Sequence, residues 1–262
     1  MYFCKIIPER ENSMEHGIYE DFVDLSLQLR FVPVKNSECI LHFHENIEIV
    51  YVLNGEIEYV NNTEKQTLLP GEVIFLPPYF SHAFHSHKET DSAAVVIPSK
   101  YLADYNREFS DLNFTKMTNR EYNQQIYTLM QAIAEDTPET PELVRIGWVN
   151  LLLGYIIMHY PSHPYNKNDI LMKNIALYVN DHYTEKLTLE KIAHCFGYNP
   201  SYFSRMFRSL FNISFTDYVN NVRCAYIRKN LKEHSITELI YKAGFNSTSS
   251  YYRFLQKNAY RE

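Results

Sequence analysis

TLEKIAHCFGY at residues 188–198 and SITELIYKAGF at residues 235–245 are two copies of one pattern, offset by 47 positions. Each copy opens on a hydroxyl residue, Thr188 or Ser235, that can accept a hydrogen bond from the free N–H groups of a helix's first turn; Ser235 with Glu238 completes a capping box. Each copy closes on a glycine, Gly197 or Gly244, at a point where a helix has to stop in a left-handed or tight conformation. The spacing predicts a second helix a few residues after each glycine, from Pro200 to Phe211 and from Ser247 to Asn258. A longer helix, Phe215 to Lys232, joins the copies, with Val219, Val222, Tyr226 and Leu231 as its expected buried face. The result is helix, turn, helix, written twice. That unit places its second helix in the DNA major groove, so two copies can read two adjacent groove segments.

The residues on the second helices suit this task. In the first copy Ser201, Tyr202, Ser204, Arg205 and Arg208 present hydroxyls and two guanidinium groups, while Phe203 and Phe207 alternate with them toward a core. Arg205 is the best base reader, because a guanidinium can pair with guanine O6 and N7 together. The second copy offers Thr248, Ser249, Ser250 and Arg253, with Tyr251 and Phe254 inward. Short hydroxyls read bases ambiguously, so less specificity is expected from it. The bland reading of either arginine is a solvated helix face or an internal ion pair.

At these residues the C-terminal ~95 positions resemble the tandem helix-turn-helix domain of AraC/XylS-type transcription regulators. LTLEKIAHCFGYNPSYFSRMFRSLFNISFTDYVNNVR and AGFNSTSSYYRF carry the family's spacing of small and apolar residues. The resemblance implies that Ser201, Ser204 and Arg205, with Thr248, Ser249, Ser250 and Arg253, occupy the DNA-reading positions. Three departures stand out: Ile240 where the first copy has Ala193, Ile227 where an alanine is usual, and a closing turn shortened to Ala259–Glu262. The last of these predicts a second unit that is less stable or binds more weakly.

Charge divides along the same line. Of 262 residues carrying a net charge of -6, residues 1–164 hold -12 and residues 165–262 hold +6. A basic third attracts phosphate backbones while an acidic remainder avoids them. With 45% hydrophobic and 21% charged residues the chain is neither disordered nor fibrous. Trp148 to Met158, its longest apolar stretch, is too short to cross a bilayer, and the first residues lack a secretory signal, so no membrane partner and a cytoplasmic location are expected. Cys4, Cys39, Cys195 and Cys224 form no CxxC pair and are expected to be reduced, mostly buried thiols.

The N-terminal part reads as β-structure. Leu25 to Val34, Ile47 to Leu53, Glu56 to Val60 and Val73 to Leu76 are β-branched or aromatic runs separated by Asn54-Gly55, Asn61-Asn62 and Pro70-Gly71. His42, His44, Glu48 and His82 form a histidine and carboxylate constellation, since His42 and His44 share a strand face. Three imidazoles and one carboxylate suit a divalent metal. The spacing resembles the two motifs of cupin barrels, G(x)5HxH(x)3E(x)6G and G(x)5PxG(x)2H, with Asn36 and Tyr79 standing where two of the motif glycines belong. The cluster is open to three readings: a metal centre, polar groups for an effector, joined by Tyr51, or satisfied inward-facing histidines. His85 and His87 are expected in a solvent-facing turn.

Between these parts, Ile126, Leu129, Met130 and Ile133, then Val144, Trp148, Leu151, Leu152 and Tyr155, repeat at helical spacing and predict a helix pair that either packs on the barrel or forms a dimer interface. The fold class is therefore α+β: a cupin-like antiparallel barrel (residues 1–115), a helical linker pair (116–164) and an all-α tandem helix-turn-helix (165–262). The function expected is a non-enzymatic, sequence-specific DNA-binding regulator, a homodimer acting with RNA polymerase. In the family it resembles, the barrel senses a small-molecule effector, commonly a sugar or other metabolite, and no cofactor is required. The rival is a metal-dependent cupin enzyme, an oxygenase or isomerase, using His42, His44, Glu48 and His82.

Overall fold

The computed structural model describes residues 18–19, 28–61, 65–109, 112–114, 116–211, 213–231 and 234–259. Most of the chain falls into two compact units, Ser26–Ile170 and Leu171–Glu262.

After a two-residue strand β1 (Ile18–Tyr19), the strands of the first unit are β2 (Arg30–Lys35), β3 (Cys39–Phe43), β4 (Ile47–Asn54), β5 (Ile57–Val60), β6 (Lys65–Leu68), β7 (Val73–Leu76), β8 (His82–His85) and β9 (Asp91–Ile97). One sheet runs β3-β8-β5-β6 and the other β2-β9-β4-β7, with antiparallel neighbours throughout. This is the expected antiparallel cupin-like barrel. The strand carrying His42 is β3, as expected; β6 and β9 match none of the runs singled out in the sequence, and His85, expected in a turn, closes strand β8. His85 is partly covered and its Nδ1 lies 2.8 Å from Glu38 Oε1, while His87 is exposed.

Side-chain alternation gives β4 two buried faces. Val50 and Val52 face the space between the sheets, where they pack with Ile57, Tyr59, Leu68, Ile74, Leu76 and Phe84. Ile47, Ile49 and Tyr51 face the other way, into a core shared with Phe75 and Val95 and with helical residues. Those residues come from α2 (Arg120–Ile133) and α3 (Glu142–His159), which follow α1 (Ala103–Glu108) and β10 (Leu112–Phe114). A third small sheet pairs β10 with β11 (Ser162–Pro164). The helix pair thus packs on the barrel. Its buried side on α3 is Val149, Leu152, Leu153 and Ile156, whereas Val144 and Leu151, expected inside, are 38% and 57% exposed. A helix that is apolar almost all round has no stripe for periodicity to find.

The second unit is helical: α4 (Lys167–His182), α5 (Leu189–Cys195), α6 (Pro200–Phe211), α7 (Phe215–Asn230), α8 (Ile236–Lys242) and α9 (Thr248–Ala259). Thr188 and Ser235 cap α5 and α8 as expected, by accepting from the N–H of Lys191 and Glu238. At the other end of each helix the N–H of Tyr198 reaches the carbonyl of Ala193, and that of Phe245 the carbonyl of Ile240. With Gly197 at φ 74° and Gly244 at φ 90°, these are matching Schellman stops. On α7 the buried residues include Val219, Val222, Cys224 and Ile227, while Leu231 is 46% exposed and Tyr226 is half-buried. Ile227 and Ile240, the two departures from the family pattern, pack in one core with Leu239, Phe245, Tyr251 and Phe254. Lys232 and residues 260–262, where a shortened closing turn is expected, lie outside the described residues. So does Cys4; Cys195 is exposed, Cys39 half-buried and Cys224 buried. No helix among the described residues is long and apolar enough to cross a membrane.

Candidate effector site and nucleic-acid interface

Strand pairing builds the histidine cluster. His42 on β3 and His82 on β8 are direct cross-strand partners, and their rings stand 4.2 Å apart. His44 lies just past the end of β3, and Glu48 lies on the same face of β4 as Val50 and Val52. One ligand atom from each of His42, His44, Glu48 and His82 falls within 4.8 Å of the others, and all four side chains are buried. The structure brings these four together. It does not bring Tyr51 to them: three residues after Glu48, it points from the opposite face of β4, stacks on Tyr127 at 4.6 Å and lies 3.5 Å from Gln124.

The hydrogen bonds around the cluster fix its chemistry. His44 Nδ1 is 3.1 Å from the carbonyl of Asn46 and His82 Nδ1 is 2.8 Å from the carbonyl of Phe80. A carbonyl only accepts, so each Nδ1 carries the proton and each Nε2 is left for the interior. Both Nε2 atoms meet Glu48 Oε2, at 3.2 Å from His44 and 3.4 Å from His82. A lone pair on Nε2 cannot face a carboxylate lone pair favourably, so a second proton or a cation has to lie between them. His82 Nε2 is buried without a hydrogen-bond partner. Burial pushes the Glu48 carboxyl up, but the hydrogen bond from His44 and the nearby imidazole of His82 more than reverse this and hold it well below the usual carboxylate range. Imidazoles fixed by backbone carbonyls at Nδ1 and turned by Nε2 toward a shared carboxylate are the arrangement of metal-ligating histidines, so the donor set fits a divalent cation.

The two residues that replace motif glycines explain how the barrel keeps its shape. Asn36 (φ 50°) and Tyr79 (φ 65°) are the non-glycine residues with left-handed backbone among those described. The backbone conformation glycine would supply is therefore kept by other side chains. Asn tolerates it readily; for Tyr79 it costs about 1 kcal/mol and is held by its N–H on the carbonyl of His44, 2.7 Å away.

In the helical unit, α6 begins at a cap the sequence reading missed: Asn199 Oδ1 accepts from the N–H groups of Ser201 and Tyr202. Ser201, Tyr202, Arg205 and Arg208 are exposed and Ser204 is half-buried. Phe203, Phe207 and Phe211 turn inward, onto Phe215 and Tyr218. In the second copy Ser247 is the cap, so α9 starts at Thr248 and Arg253 corresponds to Arg205 with one extra residue in the turn. Ser249 and Arg253 are exposed and Thr248 half-buried. The Ser250 hydroxyl donates to the carbonyl of Ser247 at 2.6 Å and accepts from its N–H, so it closes the helix start.

Comparison with known proteins agrees with both halves. A cupin domain family matches residues 30–98 and a helix-turn-helix domain family matches residues 192–259. The chain is 25% identical over 239 residues to the uncharacterized HTH-type transcriptional regulator YdeC of Bacillus subtilis, covering 82% of this chain and 81% of that protein. It is 23% identical to the regulator YpdC of Escherichia coli, over 79% of this chain and 76% of that one. The match to the longer Staphylococcus aureus regulator SAR0107 spans 31% of that protein. Among solved structures, ToxT of Vibrio cholerae with an unsaturated fatty acid bound shares the fold with a TM-score of 0.53 at 16% identity, over 88% of this chain and 90% of that one. The cupin enzyme reading gives way to these relatives. Taken with the two capped helix-turn-helix copies and the barrel's motif spacing, they make the chain a DNA-binding, HTH-type transcription regulator with a cupin-like N-terminal domain, similar to regulators of the AraC type.

Proposed function

We propose that the barrel cluster is the sensing centre of this regulator and that α6 and α9 are its DNA readers. The observation that carries the proposal is the convergence of the Nε2 atoms of His44 and His82 on one oxygen of a buried carboxylate, with His42 beside them, a donor set that a divalent cation fits. His42, His44, Glu48 and His82 would hold a divalent cation or the polar group of an effector. A bound cation would supply a Lewis-acidic anchor for an effector oxygen. Occupancy regulates only if the ligand prefers one arrangement of the protein over another.

On the DNA side Arg205 reads a guanine edge, while Ser201, Tyr202, Ser204 and Arg208 contact phosphate or neighbouring bases. Thr248, Ser249 and Arg253 do the same in the second segment, and Ser250 serves the helix start. A second copy of the chain pairs along the exposed face of α3. Leu143 and Met158 are 79% and 80% exposed, and Gly147 and Gly154 have open space where a side chain would be. Read antiparallel, that face is a palindrome, Leu143 opposite Met158 and Gly147 opposite Gly154, which is what an isologous two-fold contact requires. Such a dimer would act in the cytoplasm with RNA polymerase.

Selection of bound duplexes from a random pool at physiological salt tests the reading. Two enriched elements about one helical turn apart are expected. Salt-sensitive binding without enrichment would contradict it.

A further inference from the structure

The two copies of the helix-turn-helix use the same glycine for different reasons. Both glycines adopt the left-handed backbone, yet a Cβ placed on Gly197 meets nothing within 4 Å, whereas one on Gly244 would lie 2.6 Å from the carbonyl oxygen of Thr184 and 2.9 Å from its Cα. The turn of the second copy therefore lies directly on the segment Tyr183–Glu185, which leads from α4 into α5 of the first copy. That segment is gripped from α7 as well. Arg223 donates from Nε to the carbonyl of Tyr183 and from Nη2 to the carbonyl of Glu185, each at 2.8 Å. Its guanidinium also stands 5.6 Å over the ring of Phe245, the residue after Gly244. The Tyr183 ring packs at 5.7 Å on Tyr226 of α7. A guanidinium is the side chain able to satisfy two carbonyls and an aromatic face at once.

We infer that Arg223, with Gly244, is a positioning residue for DNA recognition: it locks the second copy onto the entry of the first, so that α6 and α9 are held at one spacing and one phase. This rests on the reading of α6 and α9 as DNA readers. Two readers joined only by α7 would tolerate a change in the distance between their DNA elements. Two locked readers do not, because one added base pair both advances and rotates the second element.

The test uses the full chain and three kinds of duplex at fixed salt: the one selected by the wild type, the same with one base pair added or removed between its elements, and the same with the second element scrambled. The wild type loses affinity about tenfold or more when the spacing changes. R223A binds the selected duplex about tenfold more weakly, no longer distinguishes the spacings, and binds the scrambled-element duplex as the wild type does. R223K, with one donor site in place of a fork, falls between. G244A reproduces R223A and G197A does not, although both carry the same backbone strain. The inference is overturned if R223A keeps the wild-type spacing dependence, or weakens the scrambled-element duplex as much as the selected one. If R223A does not fold, the glycine pair decides, and equal effects of G244A and G197A overturn it. A wild type that selects a single element removes α9 as a reader; that failure of the functional reading shows before any variant is compared, and the inference falls with it.

Discussion

Two of the polar centres buried in the barrel unit are built on opposite principles. Asn123 of α2 is wholly buried, and each side-chain group has a partner: Nδ2 donates to the carbonyls of Gly71 and Met117, both at 2.8 Å, and Oδ1 accepts from the Tyr160 hydroxyl at 2.6 Å. It ties a β-turn, the approach to α2 and the exit of α3 into one network. In the cluster of His42, His44, Glu48 and His82, by contrast, two imidazole Nε2 atoms share one carboxylate oxygen, and a proton or a cation has to lie between them. A network closed on itself is what a fold needs for its own stability, and donor atoms gathered around one point are what a cationic ligand needs.

Substitutions that treat the two centres alike should therefore give unlike results. The largest effect is expected from N123A, which takes a donor from the carbonyls of Gly71 and Met117 and an acceptor from the Tyr160 hydroxyl, and should cost the barrel unit about 2–4 kcal/mol in urea unfolding. A loss below about 1 kcal/mol would mean that the network is replaced by water and that the contrast is false. Next comes zinc chloride: at about a hundred times its dissociation constant it should stabilise the wild type by about 2.7 kcal/mol, and it should leave H82A unmoved. E48Q removes the charge but lets an amide N–H donate to an imidazole Nε2, so without metal its unfolding midpoint should stay within about 1 kcal/mol of the wild type. A large loss in E48Q, or equal stabilisation of H82A, would make the histidines ordinary core residues. The smallest change in stability should come from L151E, on an exposed position of α3. Its effect should instead be on assembly, converting a dimer to a monomer in sedimentation; an unchanged dimer would move the interface elsewhere.

What could be read in the sequence followed from how local the cause was. The helix-turn-helix copies announced themselves because caps and glycine stops act within a few residues, as Thr188, Ser235, Gly197 and Gly244 do. The histidine cluster was legible because alternation along a strand fixes which side chains share a face. The same parity separates Tyr51 from Glu48, three positions apart, and could have placed Tyr51 toward the helices from the start. Helix α4 went unread although Asn166 Oδ1 accepts from the N–H groups of Asn168 and Asp169, a capping signal as plain as the others. Asn199 and Ser247 were missed for the same reason, and Ser250 was given to DNA when its spacing from Ser247 fits a cap. The grip of Arg223 on Tyr183 and Glu185 joins residues about forty positions apart, which no local pattern encodes.

The central claim is that this chain reads DNA sequence through α6, led by Arg205. The most direct measurement is the affinity of wild type and R205A for the selected duplex and for a scrambled duplex, at one salt concentration. The account predicts that R205A lowers the ratio of the two affinities about 10- to 100-fold while binding to the scrambled duplex stays near that of the wild type. An unchanged ratio would contradict it and remove Arg205, and α6 with it, from sequence recognition.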